Sequence, residues 1–579
     1  MLLPAVLQGA NITFPGSGGD LAGTGESDWN RPLPTKDDNA LLDNPGIYTL
    51  SSDITFKGLR PQADGIILRF GEHRLTTTGI LGGAQGATVI YDGGTFDLSG
   101  TGSFSPVQAA VTDACTVITN GCVVTNVNVF YATRYASSSR TVVTGGSRVY
   151  AASCNVSDQD GVRDSLEIMD GAQVHIDGEI KWDSGILGTY GGSCIIVSGA
   201  GSLLRQKGGT SSNPNYMKVG NRFTDDSLIV TDGASAISDF GGVTLGQPRS
   251  SLMVEKGASA SFPHIYFTGS EGGVTISNGT LTCTTAFSMA YADGATAYNP
   301  VGNSNNVFLA TGPDTVVTLM GPDFFGTGHH NTVRVEGGAK LTQNSGLNEF
   351  MSQTCSSRVL ISGAGTVFGK SDGVIAVAYR TSATDGVFNS VSNIVSVSDG
   401  ATLQGGRMYL QGVANELLIS NATVSITGGD SSNHAFTSGS RANGTTHTNN
   451  TVTLCGETPK FMSTTEATRC RFLGGSTLRI CVPVEGYARG YVPVDLACNF
   501  MLDSTSLMEL DCNEWAERTG GTLHLISAAA FEDYSADAKG TTAARLAATS
   551  LPPDCRLVVE LGNVYLKCPI RKGFQVVIR

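Results

Sequence analysis

Short runs of alternating apolar and polar residues, each ending at a glycine corner, recur along most of this chain. The run Thr-Val-Ile-Thr-Asn-Gly-Cys-Val fills 116–123, and Thr-Val-Val-Thr-Gly-Gly-Ser-Arg-Val fills 141–149. The same pattern returns as Leu-Glu-Ile-Met-Asp-Gly-Ala-Gln-Val at 166–174 and Leu-Ile-Val-Thr-Asp-Gly-Ala-Ser-Ala at 228–236. Later copies include Val-Arg-Val-Glu-Gly-Gly-Ala-Lys-Leu at 333–341 and Val-Ser-Val-Ser-Asp-Gly-Ala-Thr-Leu at 395–403. A period of two is the period of a strand with one buried face. The Asp-Gly or Asn-Gly pair supplies a corner with positive φ, which glycine and asparagine adopt at little cost.

The spacing of the copies decides the architecture. Gly145 to Gly171 is 26 residues, Gly233 to Gly257 is 24, Gly257 to Gly279 is 22, and Gly363 to Gly400 is 37. About two dozen residues make one β-helix coil, with the longer intervals holding side loops. Asp-Gly also marks hairpins, so an antiparallel sandwich is the rival fold. Hairpin partners would lie within a few residues, whereas here one motif recurs at coil-sized intervals. The pattern therefore predicts an all-β right-handed parallel β-helix, a solenoid with N- and C-terminal capping regions. Residues 1–110 read as the entry and cap module, 111–484 as the β-helix repeats and 485–579 as the C-terminal cap. Within the latter, Gly520–Ser527, 556–562 and 573–579 read as strands, and the Ala-rich 528–549 as short helices. Met1–Leu7 is apolar without a basic leader, either a trimmed signal-peptide stub or a first strand.

Composition supports a turn-rich β protein. Glycine accounts for 74 of 579 residues, and charged residues for only 15%. A solenoid explains how so long a chain needs no thick core, because each coil packs only on its neighbours. The net charge of −13 and the absence of Lys/Arg runs argue against nucleic acid or anionic membranes as partners. No apolar stretch reaches the ~18 residues of a membrane span. The thirteen cysteines include no C-x-x-C pair, which disfavours zinc ribbons and iron–sulfur clusters. Most read as small buried hydrophobes, and some as disulfide partners in an oxidising space.

Few residues invite chemistry. Asp158, Asp160 and Asp164 are spaced like part of a calcium loop, with Arg163 placed to neutralise a uronate carboxylate; a solvated turn between coils is the more ordinary use of such residues. Asn221–Asp226 is a second acidic turn. Gly328-His329-His330 echoes a polygalacturonase motif, but adjacent histidines on a strand face opposite sides and cannot share a metal. His434 and His447 fall in a polar stretch, 429–451, that reads as a loop. Tyr266 and Tyr291 offer flat faces for a sugar, with core or groove packing as the alternative. No nucleophile triad, P-loop or dinucleotide fingerprint is present.

The N-x-V-x-V-x-x-G-A-x-L repeats resemble those of autotransporter-passenger-like β-helix proteins. The Asp38-Asn39-Ala40…Tyr48-Thr49-Leu50-Ser51-Ser52-Asp53 entry and the Gly520-Gly521-Thr522-Leu523-His524-Leu525-Ile526 ending resemble large secreted repeat proteins of Verrucomicrobia and Lentisphaerae. The resemblance covers most of the chain, rests on loose motifs that encode coil geometry, and lacks the C-terminal membrane barrel of true autotransporters. It implies an extracellular or bacterial cell-surface location and contact with polysaccharide or neighbouring surface proteins. It supplies no catalytic motif and no cofactor beyond a possible structural calcium. The expectation is a non-catalytic adhesive, glycan-contacting or structural protein. The alternatives are a polysaccharide lyase or glycosidase with its site at 158–164 and 221–226, and a self-assembling filament or sheath subunit, a homo-oligomer.

Overall fold

The computed structural model describes residues 10–23, 33–82, 86–158, 163–181, 191–210, 213–220, 224–289, 304–320, 322–323, 329–343, 348–350, 356–377, 391–429, 434–439, 448–466, 468–533 and 541–570. The chain forms two compact units, Met1–Thr284 and Thr285–Arg579. Both are built almost wholly of parallel strands, compatible with a β-helix solenoid.

In the first unit the strands fall into three parallel stacks. The first stack runs through Cys115–Thr119, Arg140–Val143, Ser165–Met169, Cys194–Ser198, Ser227–Thr231 and Ser251–Glu255, each paired with the next equivalent strand one repeat on. Alternation fixes its register. Ile118, Val143, Ile168, Val197, Val230, Val254 and Ile276 align one above another, all buried. A one-residue slip would turn this whole column to solvent, and each such side chain contributes about 1.5–3 kcal/mol by burial. The parallel register begins at Asn11, which pairs with Asn39. The described strands within 1–110, the segment read from sequence as the entry and cap module, are paired in parallel in the same way.

The antiparallel rival fails for a local reason. Asp232 and Gly233 are both left-handed, at φ 55° and 78°, as in a hairpin turn. Yet Ser227–Thr231 pairs with strands one repeat before and after it, while Ser235–Ser238, beyond the corner, pairs into the second stack. The corner redirects the chain instead of folding it back. Among the described residues of this unit, antiparallel pairing occurs between Gly209–Thr210 and Asn213–Pro214.

The second unit repeats the plan. Its first stack contains Val307–Thr311, Thr332–Glu336, Arg358–Ser362, Ile394–Ser398, Glu416–Ser420, Thr451–Cys455, Thr477–Cys481 and Leu507–Asp511. Coil-type pairing continues through Val494–Leu496 and Asn499–Leu502, inside the segment assigned from sequence to the cap. The ending departs from the parallel pattern after Asp511. Asn513–Arg518 and Thr542–Ala547 are short helices. Gly521–Ser527 pairs in parallel with Val494–Leu496 and antiparallel with Asn563–Cys568, against which Arg556–Glu560 also lies antiparallel. A Cys555–Cys568 disulfide ties this sheet. The strand Asn563–Cys568 and the helix Asn513–Arg518 are not apparent in the sequence pattern. Residues 1–7 and 573–579 lie outside the described residues.

A second regularity holds each first-stack strand in place. The residue two before the strand is left-handed: Asp113, Ser138, Arg163, Asp225, Arg249, Asn305, His330, Ser356, Ser392, Ala414 and Asn449 all have φ between 53° and 67°. At many of these strands the residue immediately before is a buried Ser, Asp or Asn whose side chain accepts the backbone N–H of its counterpart one repeat earlier, forming a ladder from coil to coil. Ala114 N–H donates to Ser139 Oγ at 3.1 Å, Ser139 N–H to Asp164 Oδ1 at 2.9 Å, and Ser193 N–H to Asp226 Oδ1 at 2.9 Å. In the second unit Asn306 N–H donates to Asn331 Oδ1, Ser357 N–H to Asn393 Oδ1 and Asn393 N–H to Asn415 Oδ1, each at 2.9 Å, and Asn415 N–H to Asn450 Oδ1 at 3.0 Å. The corner strands an N–H inside the coil, and a short side chain from the next coil satisfies it.

Asn415→Ala should therefore leave the buried Asn393 N–H without its acceptor and cost about 2 kcal/mol, read as a lower denaturant midpoint. Its neighbour behaves oppositely. Ala414 is held at φ 54°, so Ala414→Gly should be neutral or stabilise by up to about 1 kcal/mol.

Near the end of the second unit Asp503 performs the same task with more donors. Its carboxylate accepts the N–H of Gly474 at 2.8 Å, of Thr505 at 3.0 Å and of Ser506 at 2.9 Å, together with Thr505 Oγ1 at 2.8 Å. Burial alone would raise its pKa, but these donors outweigh it and hold the carboxyl below the ordinary value of 3.8. A pKa depressed in the folded state gives stability that is present above 3.8 and fades as pH falls below it. Acid titration of the wild type should show this loss, and Asp503→Asn should be weaker at neutral pH with a shallower acid dependence.

Candidate functional site

The third stack of the first unit presents the most developed outer face. Its buried column is Ala40, Leu59, Ile80, Phe104, Phe130, Cys154, Ile180, Met217, Val243 and Ile265, aligned strand to strand. Because side chains alternate, the residues on either side of this column face outward. One outer column reads Asn39, Gly58, Gly79, Ser103, Val129, Ser153, Glu179, Tyr216, Gly242 and His264. The other includes Arg60, Tyr131, Asn155, Lys181, Lys218, Thr244 and Tyr266. With strands about 4.8 Å apart, the columns extend roughly 43 Å.

One part of this face is aromatic and polar. Tyr216, His264 and Tyr266 have ring centroids 5.4–6.1 Å apart. The Tyr266 hydroxyl and His264 Nδ1 lie 2.8 Å apart in a hydrogen bond, and burial pushes the His264 pKa down, leaving it neutral at pH 7. Gly242 separates Tyr216 from His264 in the column, and a Cβ there would come within 2.1 Å of the His264 carbonyl oxygen. Beside the rings, Glu179 takes Lys218 Nζ at 3.0 Å and Lys181 Nζ at 2.5 Å. Burial raises the Glu179 pKa, but the two ammonium donors outweigh it and keep the carboxyl ionised and lowered.

At the other end of the face the columns lose their side chains at two consecutive strands. Gly58 and Gly79 leave a trough of about 300 Å³ lined by Asn39, Lys57, Leu59, Arg60, Thr78, Ser103 and Arg134. The Arg134 guanidinium lies 4.5 Å from the Tyr131 ring centre, close enough for a cation–π contact.

The residues singled out from sequence fare differently. Tyr266 belongs to the aromatic cluster, although only 8% of it is exposed. Phe262 and Phe267, from the same segment, pack in the core. Tyr291, Asp160 and the side chain of Asp158 lie outside the described residues. Asp164 is fully buried, its Oδ2 accepting Thr133 Oγ1 at 2.9 Å and Ser157 Oγ at 3.1 Å while Oδ1 holds the ladder. Arg163 occupies the left-handed corner before it, at φ 57°. These two act as corner and ladder of one coil. The second acidic turn does the same: Asp226 is a ladder residue, and Asp225 pairs with Arg249 at 2.6 Å. His330 is another corner, at φ 56°. His434 opens the strand His434–Ser438, and His447 lies outside the described residues. Among the described residues no group of three or more His, Cys, Asp or Glu side chains could hold a metal ion, and no helix is long and apolar enough to cross a membrane.

Sequence reading missed Lys57, Arg60, Arg134, Lys181, Lys218 and Tyr216. They are scattered over some 160 positions and meet only through the parallel register. Compared with known proteins, the chain matches no family model, no curated protein and no solved structure.

Proposed function

We propose that the chain is a right-handed parallel β-helix, capped at both ends and displayed outside the cell, that binds polysaccharide along the outer face of its third stack without turning it over. The observation that carries this reading is the pair of outward columns from Asn39 to Tyr266, which join tyrosine rings, amides and hydroxyls in a repeat set by the strand spacing. Aromatic faces pack on the apolar faces of sugar rings, and fixed amide and hydroxyl groups meet their hydroxyls. A rigid sheet holds these groups in place before the ligand arrives, which lowers the ordering cost of binding. The Cys555–Cys568 disulfide supports an oxidising, extracellular setting.

The lyase or glycosidase alternative has less to stand on. Asp164, Asp225 and Asp226, the described acids of its two loops, are engaged by backbone, hydroxyl or arginine partners. The assembly alternative has one favouring observation. Among the described residues Leu507–Asp511 pairs on one side with Thr477–Cys481, while on the other an open groove of about 1160 Å³ lies between it and the segment 545–553. Such an edge accepts an added strand, and sedimentation that shifts with concentration would favour it.

A panel of neutral and acidic polysaccharides, assayed for both binding and release of products, tests the proposed function. Binding without turnover is expected. Turnover would contradict the non-catalytic reading, and binding to none of the panel would contradict the whole of it. Tyr216→Ala should weaken binding about 3- to 10-fold, the equivalent of one aromatic contact, with unchanged thermal stability.

A further inference from the structure

We propose that the trough at Gly58 and Gly79 is an acid-group subsite, so that the face selects an anionic polysaccharide carrying carboxylate or sulfate groups. The inference rests on the glycan reading of the face and adds the ligand's charge.

The trough is built, not incidental. Asn39, Gly58, Gly79 and Ser103 follow one another in register, and the two glycines remove side chains from two adjacent strands. At Gly58 a Cβ would come within 2.6 Å of Asn39 Oδ1, so a side chain there would have to push the Asn39 amide aside. At Gly79 nothing stands in the way: the nearest atom to a Cβ is the Ser103 carbonyl oxygen at 3.5 Å, and its φ is not left-handed. A side chain would fit there, in a strand whose outer column carries side chains at most other positions.

The rim is cationic in a chain whose net charge is −13. Lys57, Arg60 and Arg134 line the trough, and no carboxylate does. The Lys57 backbone is pinned from both sides, its N–H donating to the Asp38 carbonyl at 2.9 Å and its carbonyl accepting the Thr78 N–H at 3.0 Å. Its side chain is exposed. The adjoining acid Asp38 accepts Thr35 Oγ1 at 2.7 Å and the Ala10 N–H at 2.9 Å and offsets part of the Lys57 charge, without lining the trough itself. Arg60 offers the planar fork that matches a carboxylate or sulfate, and Lys57 a point charge beside it. Thr78, Ser103 and Asn39 add neutral groups suited to the hydroxyls of the same sugar. The lysines farther along the same face, Lys181 and Lys218, both pair with Glu179, unlike the continuous basic track that a nucleic-acid backbone needs.

The test uses the full chain with polygalacturonate, a sulfated galactan, a neutral galactan of similar length and single-stranded DNA. The acidic polysaccharides should bind at least 10-fold more tightly than the neutral one, with an affinity that falls as salt rises. Lys57→Ala and Arg60→Ala should each weaken the acidic polymers about 5- to 10-fold, flatten the salt dependence and leave the neutral polymer unaffected. Gly79→Val fills the trough without altering charge, and should abolish the acid preference while the melting temperature stays unchanged. Equal affinity for acidic and neutral polymers, or silent Lys57→Ala and Gly79→Val variants, overturns the subsite and leaves the face a glycan surface. No binding of any polysaccharide overturns both. DNA bound as tightly as polygalacturonate, with the same sensitivity to Lys57→Ala, overturns the assignment to glycans.

Discussion

A buried backbone N–H left over at the left-handed corner that precedes the first-stack strands is the constraint around which this structure is organised. A parallel stack must turn the chain sharply three times per repeat, and sharp turns inside a dry interior leave donors without partners. Here the donor of one coil is met by a Ser, Asn or Asp side chain from the next, as when Ser139 donates to Asp164 or Asn393 to Asn415. The hydrogen bond crosses from coil to coil, so it fixes the register of neighbours as well as closing a corner. The apolar columns then add the larger share of stability in that fixed register. The outward columns of the third stack inherit the same alignment, which is why residues as distant as Asn39 and Tyr266 share one face.

Much of this was written in the sequence, though unevenly. The strands were legible because apolar residues flank a polar one, as Leu166 and Ile168 flank Glu167 or Val395 and Val397 flank Ser396, and the corners because Asp170-Gly171 or Asp399-Gly400 need φ above zero. The other corner left no comparable trace. Its left-handed residue is Arg163 in one coil, Arg249 in another and Ala414 in a third, types that carry no turn signature. The adjoining polar residue did leave one, the Asn that opens the N-x-V-x-V pattern, but Asp164 and Asp226 looked like surface acids because charge is usually solvated. Their burial follows from the ladder, and a column of Ser, Asp or Asn always one place before an alternating run is the signal that would have found them.

The outer face was far less legible. Tyr266 stood out as an aromatic, but its partners Tyr216 and His264 join it through strand pairing alone. Gly58 and Gly79 carry no sequence signal of their own in a chain with 74 glycines. Their meaning depends on lying side by side in a strand stack, where an absent side chain becomes a space. Lys57, Arg60 and Arg134 likewise carry no motif, since only three-dimensional register gathers them. In a solenoid the sequence encodes the coil directly and the outer face only through the coil.

The stacked structure depends on this ladder of side-chain acceptors, and amide hydrogen exchange reads it directly. The N–H groups of Ser139, Ser193, Asn393 and Asn415 lie just outside the strands, in positions that would exchange quickly if they were ordinary turn amides. If each is held by the side chain of the next coil, its protection should equal that of the strand amides at Ile168 or Val397. Rapid exchange at these four positions, with protected strands on either side, would contradict the claim that this interaction sets the register of the fold.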